Sequence, residues 1–185
     1  MVRQYNTAFR DVATSHALTL LQTARLLAMG NVVAADTQIA CLNAKYHYGF
    51  WRPVTAIAKA GRDDGNPSTV KDPAWTPTVA TPNHPEYPAA HGCLTSAMAE
   101  VFTQALGTRQ IDVTLTSTTV PTMPTRHFQQ AGDLRAEIVE ARLWGGIHYR
   151  DSSIKGVTLG RDVARYVLRH AFLPTDTDDE LEPSH

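Results

Sequence analysis

Pro88-Ala-Ala-His91-Gly-Cys-Leu94-Thr-Ser-Ala-Met98-Ala-Glu-Val101-Phe102-Thr-Gln-Ala105-Leu106-Gly107 is the stretch on which the fold turns. Leu94, Met98, Val101, Phe102 and Ala105 recur at intervals of three and four, which puts them on one side of a helix. Proline at the first turn loses only an N–H that a helix start leaves unpaired anyway, and Gly107 provides the stop. Upstream, a proline-rich crossing from Gly61 to Tyr87 carries no apolar period. An irregular segment that long in a compact domain generally has a function, and this one delivers the chain straight to Pro88.

Outward from this helix the same period continues. Leu18, Leu21 and Leu26, then Met29, Val32, Val33 and Ile39, predict one long helix or two end to end between about 7 and 46, with a bend at Gly30-Asn31. Val54 to Ala60 reads as a short helix after Pro53, and Phe128 to Trp144 and Ser153 to Phe172 as the last two. Thr-rich Ile111 to Val120 has strand composition without a partner of similar character, so it is an exposed connection or a minor strand. The expected fold is all-α, a single-domain helical bundle over 1–174, with an acidic disordered tail over 175–185.

Composition narrows the function classes. A formal net charge of -1, with dispersed basic residues, gives no reason to expect a nucleic-acid partner. The apolar region Ala17–Leu42 is interrupted by Gln22, Arg25, Asn31, Asp36 and Gln38, so no transmembrane segment is expected. No signal peptide is visible, which reads as a soluble, cytoplasmic chain, or an exported one if it is the C-terminal part of a longer protein. Cys41 and Cys93 lack metal-ligand spacing and read as small buried apolar residues; homo-oligomerisation stays open.

Three stretches collect cations and histidine: Lys45 to Pro53, Tyr87 to Gly92, and Arg142 to Asp151. Lysine and arginine set among Trp, Tyr, Gly and Pro call for an anion to neutralise them, and phosphate or vanadate has suitable charge and shape. Lys45 and Arg52 share a helix face, or frame a bend if Gly49 and Pro53 break the helix. A helix opening at Pro88 leaves the Ala89 and Ala90 amides free at a positive helix end, with His91 at the rim. Arg142 and His148 face one ligand only if the backbone deforms at Gly145-Gly146.

The K-x6-R-P pattern at Lys45 to Pro53, the Pro-x-x-His element at Pro88 to His91 and R-x5-H at Arg142 to His148, in this order, resemble the type 2 phosphatidic acid phosphatase and vanadium-dependent haloperoxidase superfamily. His84-Pro-Glu-Tyr-Pro-Ala-Ala-His91 looks more like its soluble haloperoxidase branch. The resemblance implies that Lys45, Arg52 and Arg142 hold the oxyanion, aided by the backbone amides of Ala89 and Ala90. It implies that His148 is the vanadate ligand or, in a phosphatase, the nucleophile, and that His91 is the acid–base group.

The expected activity is therefore vanadate-dependent peroxide activation and halide oxidation. The alternatives are a metal-free acid phosphatase acting on soluble phosphomonoesters, and a non-catalytic phosphate- or vanadate-binding module. Two departures stand out: Ala89 replaces the family's usual serine, and Ser152 stands where an aspartate is expected, with Asp151 one position early. His84 and Trp51 are placed to line the pocket, with Trp144 and Tyr149 as further wall and Trp75 as a loop anchor. His47, inside the first stretch, reads as a helix-surface or packing residue rather than a ligand, and His16, His127, His170 and His185 fit no motif and read as surface residues.

Overall fold

The computed structural model describes residues 2–61, 65–117 and 125–173. Its elements are α1 (Val2–Ser15), α2 (Leu20–Tyr48), α3 (Pro53–Lys59), α4 (Ala90–Leu106), β1 (Gln110–Thr116), β2 (Thr125–Gln130), α5 (Ala131–Trp144) and α6 (Arg150–His170). The expected helical bundle is what the chain forms, with one two-stranded antiparallel sheet added. The acidic stretch 175–185 lies outside the described residues. Among those described, no helix is long and apolar enough to cross a membrane.

Helix α4 is the axis, packed against α2, α5 and α6 at once. Its residues from Gly92 to Ala99 are all buried, which explains why its apolar pattern is wide rather than a narrow stripe. Against α6 the backbones nearly touch. A Cβ at Gly160 would lie 1.8 Å from the Cys93 carbonyl oxygen, one at Gly156 2.5 Å from that of Ala89, and one at Gly92 2.9 Å from that of Ser153. On its other sides, Arg135 of α5 and Arg165 of α6 both bond the Glu100 carboxylate, at 2.7 and 2.8 Å, tying three helices together.

The N-terminal helices differ from the sequence expectation. The break falls at His16–Thr19, where Ala17 is left-handed (φ 49) and Thr19 with Gln22 forms a reciprocal capping box that starts α2. Gly30 does not bend α2. It is a socket for Phe9 of α1: a Cβ there would sit 2.3 Å from the Phe9 ring, which in turn packs on Phe102 with centroids 4.6 Å apart.

The Thr-rich segment does have a partner. β1 pairs with β2 in the register Val113↔Phe128 and Leu115↔Arg126, and it turns Ile111 and Val113 into the core. Phe128 to Gln130, expected as the start of a helix, are strand, and α5 begins at Ala131. Phe128 is the only apolar residue of β2, too little alternation to mark a strand.

The helix contacts give a paired prediction. Gly160→Ala should lower unfolding free energy by at least about 2 kcal/mol, because its Cβ meets backbone that cannot rotate away. Gly132→Ala in α5, where nothing lies within 4 Å, should be neutral or stabilising by up to about 1 kcal/mol. Urea unfolding of both variants checks this; equal effects would contradict the packing described.

Candidate active site

The three cation-bearing stretches meet at the end of α4 nearest its N-terminus. Helix α2 stops at Gly49, which is left-handed (φ 56), and the chain runs extended through Arg52 (φ -88, ψ 156) into Pro53 at the first position of α3. The pre-proline restriction thus turns a helical pair into a corner, with Lys45 in the last turn of α2 and Arg52 beyond it. The third stretch reverses at Gly146 (φ 70), whose missing side chain lets Trp75 and Pro77 pack close. That bend is what allows Arg142 on α5 and His148 before α6 to look into the same space. Trp75 is the loop anchor expected of it.

His148 is held most firmly. Its Nδ1 lies 2.6 Å from Glu86 Oε1, which also accepts from the Tyr149 amide at 3.1 Å; His148 and Glu86 side chains are 1% and 0% exposed. A carboxylate can only accept, so Nδ1 carries the hydrogen and Nε2 keeps a lone pair. Nε2 faces Arg52, whose NH1 is 3.3 Å away and also donates to the Ile147 carbonyl at 2.8 Å. The rest of the Arg52 guanidinium donates to the His84 carbonyl, at 3.2 Å from Nε and 3.1 Å from NH2, and its NH2 lies 3.2 Å from His84 Nδ1.

Lys45 is fully buried, and its Nζ donates to the carbonyls of Pro85 and Glu86, both at 2.9 Å. Burial brings its ammonium down to about 8, partly offset by the Cys41 thiol. Arg142 is brought down to about 10, by burial and then by Arg52, and its Nε is buried without a hydrogen-bond partner among the described residues. Among the described residues, three cations therefore share one buried region with a single carboxyl group, Glu86. Such a surplus of buried positive charge with an unpaired guanidinium N–H fits an oxyanion.

His91, at the first turn of α4, is held neutral. Burial, then Arg142 and His148, push its imidazole down to about 3. Burial likewise outweighs Glu86 and brings His148 down to about 4. Both rings are therefore neutral near neutral pH.

Not every expected residue performs as the motif suggests. The Ala89 amide is not free for an anion, because it donates to the Ser152 carbonyl at 3.1 Å. The helix opens at Ala90 rather than Pro88, so the Ala90 N–H belongs to the unpaired helix start while Ala89 is its buried cap. Trp51 is 48% exposed and helps wall an aromatic cavity of about 640 Å³ with Tyr48, Phe50, Tyr87 and Tyr149, beside Glu86. Trp144 is no wall at all: it is 76% exposed on α5. His84 does line the region, through Arg52.

Glu86 is the residue that sequence reasoning missed. The carboxylate that orients His148 comes from the second stretch, and Asp151, which the third stretch suggested, lines the aromatic cavity instead. The available signal was an acidic residue between two prolines, Pro85-Glu86-Tyr87-Pro88, three positions before the helix cap.

Residues 25–176 match the model of the VCPO second helical-bundle domain. The chain belongs to this family. Its fold is similar to that of a bacterial vanadium-dependent iodoperoxidase (TM-score 0.77, 26% identity, covering 95% of this chain and 40% of that one). It is also similar to a holo-type bacterial vanadium-dependent chloroperoxidase (TM-score 0.71, 19% identity, covering 91% of this chain and 41% of that one). No curated protein sequence matches. The chain thus spans about two fifths of the length of the haloperoxidases it resembles.

The depressed histidines set a pH dependence. The unfolded chain takes up protons near the ordinary imidazole value of about 6.5, whereas the folded chain resists until about 4 and 3. Their contribution to stability is therefore present above pH 6.5 and lost as pH falls from there toward 4 and 3. Urea midpoints should drop across that window, and His91→Gln should flatten the drop. Saturating inorganic phosphate should flatten it too, since an anion favours both charged rings. A phosphate-independent profile would count against an anion at this site.

Proposed function

We propose that this chain binds vanadate and, with hydrogen peroxide, oxidises a halide ion. The observation that carries this reading is His148: Glu86 fixes its Nδ1–H, so an Nε2 lone pair points into a buried group of cations. Bound vanadate would supply the Lewis acidity that activates peroxide toward halide. Arg142, with its partnerless buried Nε, and Arg52, adjacent to Nε2, would hold the oxyanion's oxygens. Lys45 would act mainly by charge, because two of its three N–H groups already serve backbone carbonyls.

His91, held neutral, would take a proton from an incoming peroxide and return it to a departing oxygen. Glu86 would act through His148, fixing its tautomer and raising its basicity as a ligand. Among the described residues no group of three or more His, Cys, Asp or Glu could chelate a metal cation. A single imidazole within a cationic cradle suits an oxyanion centre instead.

The deciding experiment is a pair of assays on the same preparation: bromide oxidation with peroxide and vanadate, and p-nitrophenyl phosphate hydrolysis without vanadate. Halide oxidation supports the proposal. Hydrolysis alone would replace it with phosphatase chemistry, in which His148 Nε2 attacks phosphorus. Silence in both, with vanadate still binding, would leave a non-catalytic oxyanion module.

His148→Ala should remove at least about 10³-fold of whichever activity is found. Glu86→Gln, which keeps an acceptor for Nδ1–H but removes the charge, should cost about 10- to 100-fold. Arg142→Ala should weaken vanadate binding, read by calorimetry, by about 2 to 4 kcal/mol, the cost of one charge-assisted contact in a sheltered pocket.

A further inference from the structure

Cys41 of α2 and Cys93 of α4 meet across the helix contact as free thiols, each 1% exposed, with their sulfurs 3.0 Å apart. As apolar filler either could be alanine, and filler does not require two sulfurs in contact. A covalent bond between them needs an approach of only about 1 Å more. Next to the pair lies a cavity of about 370 Å³ lined by Thr37, Gln38, Cys41, His84, Ala90 and Cys93, large enough to admit a small oxidant. The two sulfurs are also unequal. The Cys93 S–H and then Lys45, one helical turn further along α2, draw the Cys41 thiol below its ordinary range, whereas the contact and burial push that of Cys93 up.

We propose that Cys41 and Cys93 are a reversible modification site, a dithiol that hydrogen peroxide converts into a disulfide joining α2 to α4. The Cys41 thiolate attacks one peroxide oxygen, the O–O bond breaks, and the departing hydroxide takes up a proton to leave water and a Cys41 sulfenic acid. The Cys93 sulfur then attacks the Cys41 sulfur, its S–H proton joins the displaced hydroxide, and a second water leaves. The sulfur pair loses two electrons and the peroxide gains two. Reversal requires an external thiol reductant. The bond would fasten together the helices that carry Lys45 and His91, whether or not the neighbouring site turns over a halide.

The test uses the full chain, reduced, desalted and exposed to hydrogen peroxide without vanadate or halide, then mapped by non-reducing peptide mass spectrometry. The expected result is a Cys41–Cys93 linked peptide that dithiothreitol releases, a higher Tm for the linked chain, and linkage at least roughly tenfold faster than in the guanidinium-unfolded chain, since folding fixes the sulfurs in reacting position. In Cys93→Ser, Cys41 should stall as the sulfenic acid and be trapped by dimedone. Linkage no faster than in the unfolded chain, or oxidation of both cysteines to sulfinic or sulfonic acid without linkage, would overturn the proposal. If the variant fails to fold, the wild-type peptide map still decides.

Discussion

The near-contact of α4 with α6 is the constraint on which the remainder depends. Gly156 and Gly160 on one helix and Gly92 on the other remove the side chains that would keep the backbones apart. The Ala89 amide can then bond the Ser152 carbonyl at 3.1 Å. That bond joins the turn before α4 to the turn of α6, and so fixes the separation of His91 from His148. A bulkier α4–α6 interface would move the two histidines apart along with their helices. Stability and site geometry are in this sense one interaction, because Gly92 directly follows His91 and Gly156 packs on the backbone of Ala89, two positions before it.

The same turn explains how so much positive charge is tolerated in the interior. Lys45 and Arg52 are not left waiting for a ligand; carbonyls of His84, Pro85, Glu86 and Ile147 take most of their hydrogen bonds. The proline-rich crossing supplies three of those four carbonyls, since its prolines prevent it from spending them on helix or sheet. Backbone dipoles offset part of the desolvation cost, while the net charge stays unneutralised and available to an anion. Arg142 has no such support at Nε, which makes it the most exposed in energetic terms to the presence or absence of a ligand.

Helix periods and turn chemistry made α3, α4 and α6 readable within three residues, and the end of α2 as well, while the α1–α2 break was misplaced because a capping box at Thr19, not Gly30, sets it. The hairpin was not readable: β2 offers Phe128 alone, and its identity as a strand comes from the partner it meets. The cations and histidines could be found because charge among apolar and aromatic residues is conspicuous. Glu86 could not, since a carboxylate in a proline-rich loop looks like a solvated turn residue until the fold buries it completely. The Ala89 amide was misassigned for a related reason. Free helix-start amides are a local rule, and it was overridden by a neighbour 63 positions away, counting from Ala89 to Ser152.

Position 89 shows how a departure from a family pattern can be absorbed. A hydroxyl there would point at ligand only if its backbone were free to orient it, yet the residue is fully buried, caps α4 through the Cys93 amide at 3.0 Å and touches the space above Gly156. Its packing task needs a small residue and nothing polar, which alanine satisfies. Under the proposed function, holding an anion would fall more heavily on Arg52 and Arg142 and on the helix-start amides after Ala89, so charge rather than a hydroxyl donor would govern affinity at this site. A site of that kind discriminates poorly between vanadate and phosphate, whose charge and shape nearly coincide. Under the proposed function, selectivity would come from whether Nε2 of His148, whose lone pair Glu86 keeps free by holding the hydrogen at Nδ1, finds a centre to bond.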